Sequence, residues 1–276
     1  MPRLSCGNRT LDLESPVVMG VLNVTPDSFS DGGHYFDLND AVARGIELAE
    51  EGAAIIDVGG ESTRPGAQPV TADEELRRVI PVVERLRALT RAIISVDTGK
   101  PEVIRAAAAA GAELINDVWA LREPGALEAV RDSGCAVCLM HMQGEPRTMQ
   151  QSPHYANVVG EVCQFLKERV EACQSAGMRG DRIVLDPGFG FGKTFEHNLT
   201  LLRHLGELAA DGLPVLAGLS RKSMIGKLTG RQPEERLAGS VAAALIAAMH
   251  GARILRVHDV AVTVDALKVL AAVALM

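Results

Sequence analysis

Short runs of apolar and β-branched residues recur along the chain, and a longer stretch, apolar at every third or fourth position, follows most of them. The runs are VVMGVLN (17–23), AAIIDV (53–58), AIISVD (92–97), AELIND (112–117), AVCLMH (136–141), RIVLD (182–186), PVLAG (214–218) and RILRVH (253–258). All eight are apolar with little alternation, which is how a strand reads when both faces of its sheet are covered. The periodic stretches predict helices over 38–51, 73–89, 101–110, 124–132, 155–176, 235–249 and 259–275. Five helical patterns end at a glycine just before the next strand (Gly52, Gly111, Gly134, Gly177, Gly251), as expected of C-terminal caps. Eight strand–helix units in 276 residues, with no linker or low-complexity tract between them, predict a single domain over 1–276. Its fold is expected to be a (β/α)8 TIM barrel rather than a doubly wound sheet. Ahead of the barrel, Cys6-Gly7-Asn8-Arg9 predicts the turn of a short N-terminal hairpin.

Composition narrows the range of partners. A net charge of −7 argues against a general nucleic-acid or membrane-surface binder, since phosphate-rich partners attract basic domains. The longest uninterrupted apolar run, Val241 to Met249, is about half of what spans a bilayer. The opening MPRLSCG has no apolar core of the signal-peptide kind, so a cytoplasmic protein is expected. Five cysteines at irregular spacing fit a reducing compartment better than a disulfide framework. Cys135 and Cys138 form a C-x-x-C within an apolar run with no second pair, which reads as buried structural thiols.

In a barrel of this kind the ligand site lies at the C-terminal ends of the strands. The polar residues there are Asn23, Asp57, Asp97, Asn116, His141, Asp186, Ser220 with Lys222, and Arg256 with His258. Any one Asn or Asp could merely cap the following helix, but capping does not call for Arg, Lys and His at the same rim. Arg256 and His258 stand two apart and share a face if the strand continues, which makes them a plausible anion clamp. Ser220 and Lys222 do the same if the chain there is extended. Asp97 and Asp186 could accept paired N–H donors from a flat heterocycle, bind a metal, or pair with Lys222. Two long loops, NVTPDSFSDGG (23–33) and GGESTRPGAQPV (59–70), carry Phe29, Thr63, Arg64 and Pro65. With Phe189 and Phe191, which also follow a strand, they suggest lids over a planar, anionic substrate.

The segment DPGFGFGKT (186–194) looks like a nucleotide phosphate loop and is not one. Three residues, not four, separate Gly188 from Gly192, and a dinucleotide fingerprint begun at Gly188 would need glycine where Lys193 stands. There is no G-x-S-x-G and no H-E-x-x-H. A reaction in which the substrate ionises by losing diphosphate needs a metal and cations on the leaving group more than a strong base.

Taken together, GVLNVTPDSFSDGG, IIDVGGESTRPGA, ISVDT, LINDV, LDPGFGFGKT, GLSRKSMIG and RVHDV closely resemble the dihydropteroate synthases of bacterial folate synthesis, along nearly the whole chain. The resemblance implies a usually dimeric transferase that joins 6-hydroxymethyl-7,8-dihydropterin diphosphate to 4-aminobenzoate. It implies a pterin pocket of Asp97, Asn116, Asp186 and Lys222 with Met140 and Phe191 nearby. The diphosphate would meet Asn23, Thr63, Arg64, Arg256 and His258, with Mg2+ bridging its oxygens and Asn23 as the protein's ligand. The aminobenzoate, or a sulfonamide mimicking it, would lie among Phe29, Pro65 and Phe191, its carboxylate received by Ser220 at the start of a helix. Arg256 and His258 would draw off the diphosphate, and Asp97 with Asp31 of the closed loop would steady the pterin-methyl cation; Lys222 completes the catalytic set. Two rivals remain on the same residues, a folate-dependent methyltransferase relative and a non-catalytic pterin or folate binding module. The methyltransferase should not need the lid loops or the Arg256 and His258 clamp, and a binding module would bind pterin without diphosphate or Mg2+.

Overall fold

The computed structural model describes residues 3–25, 37–61, 70–145, 148–209 and 212–274. It opens with the expected hairpin, in which β1 (Arg3–Cys6) pairs antiparallel with β2 (Arg9–Asp12) across a turn that holds Gly7 at φ +58°. The eight apolar runs then form β3 (Val17–Asn23), β4 (Ile55–Gly59), β5 (Ile93–Asp97), β6 (Leu114–Asp117), β7 (Ala136–Met140), β8 (Ile183–Asp186), β9 (Val215–Ala217) and β10 (Ala252–Val257). Each pairs in parallel with its neighbour in sequence, and β10 closes the barrel on β3 with Ile254 opposite Val17. Closure leaves the barrel no edge strand to protect.

Seven helices fall where apolar periodicity predicts them: α1 (Leu38–Glu50), α2 (Ala72–Leu89), α3 (Pro101–Ala110), α4 (Ala126–Ser133), α5 (Val158–Ser175), α9 (Leu237–Met249) and α10 (Val260–Ala274). The five closing glycines all have positive φ, from +78° at Gly134 to +106° at Gly111. Three helices are additional: α6 (Phe195–Arg203), α7 (Leu205–Ala209) and α8 (Ser223–Thr229). They are too short to show a clear period, and α8 has Gly226 in its middle. The predicted start at 155 moves to 158 because Asn157 caps α5, its Oδ1 accepting the amide of Gly160.

Strand alternation divides the interior into layers. Each barrel strand turns one apolar residue onto the axis near its start: Met19, Ile55, Ile93, Leu114, Ala136, Val184, Leu216 and Ile254, all buried. Beneath them the hairpin closes the N-terminal end with Leu4, Cys6 and Leu13, each 0% exposed. Arg9 on Glu113 (3.1 Å) and Ser5 on Asp181 (3.0 Å) fasten this plug at its edge. Two and four residues further along five of the strands, the inward positions become Asp57, Ser95, Asp97, Asn116, Asp186 and Arg256. The barrel is thus apolar at its floor and polar at its mouth, and the outward strand faces pack under the helices.

The C-x-x-C motif is structural, as expected. Cys138 belongs to the interior cluster and Cys135 to the outer one, where its Sγ lies 3.2 Å from the Ala112 carbonyl oxygen. Burial raises the pKa of both thiols. Phe189 departs from expectation: it is 1% exposed within the outer core, not part of a lid.

Candidate active site at the barrel mouth

One buried carboxylate organises the mouth. Asp57, 0% exposed on β4, accepts hydrogen bonds from Ser95 Oγ (2.6 Å), Asn116 Nδ2 (3.0 Å) and Arg256 Nε (2.6 Å). Arg256 also donates from Nη2 to Asp97 Oδ2 at 2.9 Å. The guanidinium therefore bridges two carboxylates, and its fork is held in one plane across the mouth. Burial works against the charge on Arg256, but Asp57 and Asp97 hold its pKa above the ordinary value. Burial pushes the Asp97 carboxyl up to about 7, with Arg256 pulling it down and Asp57 pushing it up. Asp57 was visible in the sequence only as one rim residue among several; its place as the shared acceptor follows from four strands, β4, β5, β6 and β10, meeting.

The loop after β8 accounts for its unusual sequence. Gly188, Gly190 and Gly192 have φ of +68°, +80° and +62°. A Cβ at Gly188 would be driven into the carbonyl oxygen of His141, and one at Gly192 into that of Gln143. The alternating glycines let the backbone pass against the end of β7 in a conformation other residues resist. Asp186, at the end of β8, accepts the Gly188 amide at 2.7 Å; burial raises its pKa, while that amide, Lys222 and Lys193 oppose the rise. The Lys222 ammonium stands 4.3 Å from the centre of the Phe191 ring, and its stem runs beside Gly190. Among the described residues no carboxylate lies within ion-pair distance of Lys222. Burial and Arg256 bring its pKa down to about 8. Met140 and Phe191 belong to a small apolar cluster with Val118, Met142, Met149 and Trp119 on this side of the mouth.

Lys193 and Thr194 have other partners. Thr194 caps α6 with its side chain, in a reciprocal pair with His197. Lys193 is buried, with Nζ 2.9 Å from His141 Nδ1, 3.0 Å from the Phe191 carbonyl oxygen and 3.3 Å from that of His141. His141 accordingly does not face the mouth: its ring packs edge-on to Phe165 at 4.9 Å, and burial together with Lys193 lowers its pKa to about 3.

Two local expectations change around β9 and β10. The chain at 220–222 is not extended, because Arg221 turns with φ +58° and pairs with Asp259 at 2.6 Å. Helix α8 starts at Ser223 with Lys222 as its N-cap, so Ser220 is not the helix start. Its hydroxyl instead lies 3.0 Å from His258 Nδ1 and accepts the His258 amide at 3.3 Å. Arg256 and His258 are both half-buried at the rim, yet they are held by different partners, two carboxylates and a hydroxyl.

Of the predicted residues, Asn23, Asp97, Asn116, Met140, Asp186, Phe191, Ser220, Lys222, Arg256 and His258 all lie at the C-terminal end of the barrel. Phe29, Asp31, Thr63, Arg64 and Pro65 lie outside the described residues. Sequence reading overlooked Ser95, whose only signal was its inward parity on β5 between Ile93 and Asp97. Two hollows, about 570 Å3 beside His204 and His250 and about 250 Å3 beside Leu166 and Leu213, are lined by none of these residues.

Comparisons with known proteins cover the whole barrel. Residues 19–258 match the family described as pterin binding enzyme. The dihydropteroate synthase of Escherichia coli strain K12 is 55% identical over 270 residues, 98% of this chain and 96% of that protein. A Xanthomonas albilineans dihydropteroate synthase solved with 4-aminobenzoic acid superimposes with a TM-score of 0.94 at 60% identity, covering 100% of this chain and 99% of that one. The same organism's enzyme in complex with 7,8-dihydropteroate gives a TM-score of 0.91 at 58% identity, with 100% of both chains covered.

Proposed function

This chain belongs to the pterin-binding enzyme family, with the dihydropteroate synthases, and from that premise we propose how its barrel mouth works. It is a transferase that condenses 6-hydroxymethyl-7,8-dihydropterin diphosphate with 4-aminobenzoate, releasing diphosphate and 7,8-dihydropteroate. The observation that carries the assignment of residues is the Lys222 ammonium over the Phe191 ring, with the buried Asp186 carboxyl near enough for each charge to act on the other. A pterin presents adjacent N–H donors on one edge and acceptors on the other, so a buried carboxylate and an ammonium read both edges while the ring lies on the aromatic face. Asp186 takes the 2-amino group and N3–H. Lys222 donates to O4 and N5. Asn116 and Met140 complete the wall, and Asp57 sets the orientation of Asn116.

The bond to break is the C–O bond between the pterin methylene and the diphosphate. Its electron pair leaves with the diphosphate, beside Arg256 and His258, with Thr63 and Arg64 joining from the second loop. Positive charge then spreads into the pterin ring, near Asp97 and, from the first loop, Asp31. Fixed carboxylates already oriented by Arg256 need no reorganisation as that charge appears. The neutral arylamine of 4-aminobenzoate attacks the methylene carbon through its nitrogen lone pair and then loses a proton, so no strong general base is required. Its carboxylate is received near Ser220 and its ring packs with Phe29, Pro65 and Phe191.

Asn23 is the residue fitted to Mg2+. It ends β3, and its Oδ1 borders the same space above Gly59 as the Asp97 side chain, a neutral hard oxygen in the mouth. Among the described residues no group of three or more His, Cys, Asp or Glu is placed to hold a metal ion. Mg2+ bound through one protein oxygen, waters and phosphate oxygens fits this donor set, and when bound it would supply charge neutralisation on the diphosphate.

The same reading extends to the whole chain, taken as one domain over 1–276 in the cytoplasm. It is supported by buried thiols at Cys6, Cys135, Cys138 and Cys173, and by the absence among the described residues of any helix long and apolar enough to cross a membrane. Adjacent helices α9 and α10 leave Ile246, Met249, Val269 and Val273 exposed, an apolar surface suited to a homodimer contact. No nucleic-acid partner is called for.

The test is diphosphate release by the purified protein given the pterin diphosphate, with and without 4-aminobenzoate and with Mg2+ or EDTA. Release that requires both the arylamine and Mg2+, and yields dihydropteroate, is expected. Pterin binding without release would instead make this a binding module or a methyltransferase relative.

A further inference from the structure

The reaction above makes no use of Lys193, although a buried cation is costly to keep. Its surroundings are unusual for a lysine. Among the described residues the ammonium meets no carboxylate; it donates to His141 Nδ1 on one side and to the carbonyls of His141 and Phe191 on the other. Burial lowers its pKa to about 7, with Asp186 favouring the proton and Lys222 opposing it; Tyr155 and Phe165 pack against the His141 ring. These bonds tie the end of β7 to the middle of the glycine loop after β8. The rest of that loop is held just as fully. Tyr155 donates to the Gly192 carbonyl (2.8 Å), Gln150 to that of Gly190, and Asn198 accepts the Gly190 amide (2.8 Å).

We infer that Lys193 is a positioning residue for the pterin pocket, acting through the Phe191 carbonyl to hold the Phe191 ring against Lys222 and the loop against Asp186. A loop with three glycines in left-handed conformations has little rigidity of its own, and the ammonium supplies a fixed point where the ring attaches. Burial excludes water from competing for these carbonyls. The inference rests on the pterin reading of Asp186, Lys222 and Phe191. It goes beyond that reading in giving Lys193 a part without contact with substrate.

The experiment compares wild type, Lys193→Met, Lys193→Gln, Phe191→Leu and the Lys193→Met/Phe191→Leu double variant. Lys193→Met should raise KM for the pterin diphosphate about tenfold and change kcat less than about threefold, with KM for 4-aminobenzoate unmoved at saturating pterin. Lys193→Gln, which can still donate to both carbonyls, should restore KM to within about threefold of wild type. If the two residues act as one unit, the double variant is no worse than Lys193→Met beyond about twofold. Amide exchange across 188–192 in the ligand-free protein should quicken in Lys193→Met and recover in Lys193→Gln. Unchanged loop exchange, multiplicative losses in the double variant, or a fall of kcat that tracks only the folded fraction would each overturn the inference. A wild-type protein that neither binds nor turns over the pterin diphosphate would sink the functional reading instead, and the exchange comparison would still decide whether Lys193 holds the loop.

Discussion

At the scale of single residues, Asp57 and Lys222 make opposite predictions. Asp57 accepts three hydrogen bonds in a fully buried position, one of them from Arg256. Asp57→Ala leaves those donors without their acceptor, and breaking such a buried pair costs roughly 3–5 kcal/mol. Urea denaturation should read that loss, together with collapse of turnover. Lys222 is charged in a site that disfavours its charge, its pKa lowered from 10.5 to about 8. Below pH 8 it is protonated in both folded and unfolded chains, so the cost of burying its charge is then fully present. Between 8 and 10.5 the unfolded chain binds the extra proton and stability rises with pH. Lys222→Met should therefore abolish turnover yet raise stability at pH 7 by about 0.5–2 kcal/mol, a gain that fades as pH approaches 10.5. Activity carries its own pH signature. On the proposed mechanism the Asp97 carboxyl ionises and the Lys222 ammonium persists, so kcat/KM for the pterin diphosphate should rise through about 7 and fall through about 8. These limbs belong to the linked cluster of Asp97, Arg256 and Lys222. Lys222→Arg should remove the alkaline one.

At the scale of elements, the glycines of the chain fall into two kinds that look alike in sequence. Gly134 has φ +78° and open space where a Cβ would stand, while Gly188 and Gly192 have the same handedness with a carbonyl oxygen in the way. Gly134→Ala should cost about 1–2 kcal/mol, the penalty of the backbone conformation alone. Gly188→Ala should cost more than about 3 kcal/mol, because overpacking adds to that penalty. Thermal or urea unfolding of the two variants side by side measures the difference. The elements themselves were legible to different degrees. All eight barrel strands and seven helices follow from periodicity because each buries a continuous apolar face. The short α6, α7 and α8 were not legible: α6 starts on the reciprocal Thr194 and His197 cap, and α7 and α8, five and seven residues long, give too few turns for a period to show.

At the scale of the molecule, most of the large exposed apolar side chains among the described residues lie on α9 and α10. The hairpin seals the floor and the helices cover the strands, but Met249 remains 70% exposed on α9 and Val269 and Val273 each 66% on α10. If this surface is the dimer contact, Ile246→Glu combined with Val269→Glu should halve the mass seen in sedimentation while leaving circular dichroism unchanged. A wild-type protein already sedimenting as a single chain would remove the dimer from the proposal.

By itself the sequence determined the barrel, the hairpin, the helix-ending glycines and the rim on which Asn23, Asp97, Asn116, Asp186, Lys222 and Arg256 would meet. These follow from local rules: strand alternation, helical periodicity and the handedness of glycine all act over a few residues. Only the tertiary structure decided that Arg256 is gripped by Asp57, 199 residues away in the chain, and by Asp97. It alone turned His141 and Lys193 toward each other, sent Phe189 into the core, and set Ser220 against His258 rather than at a helix start. Such pairings depend on the register of strands remote in sequence and on which atoms close packing brings within hydrogen-bond reach. Periodicity shows which face a side chain takes, and the folded barrel chooses its partner.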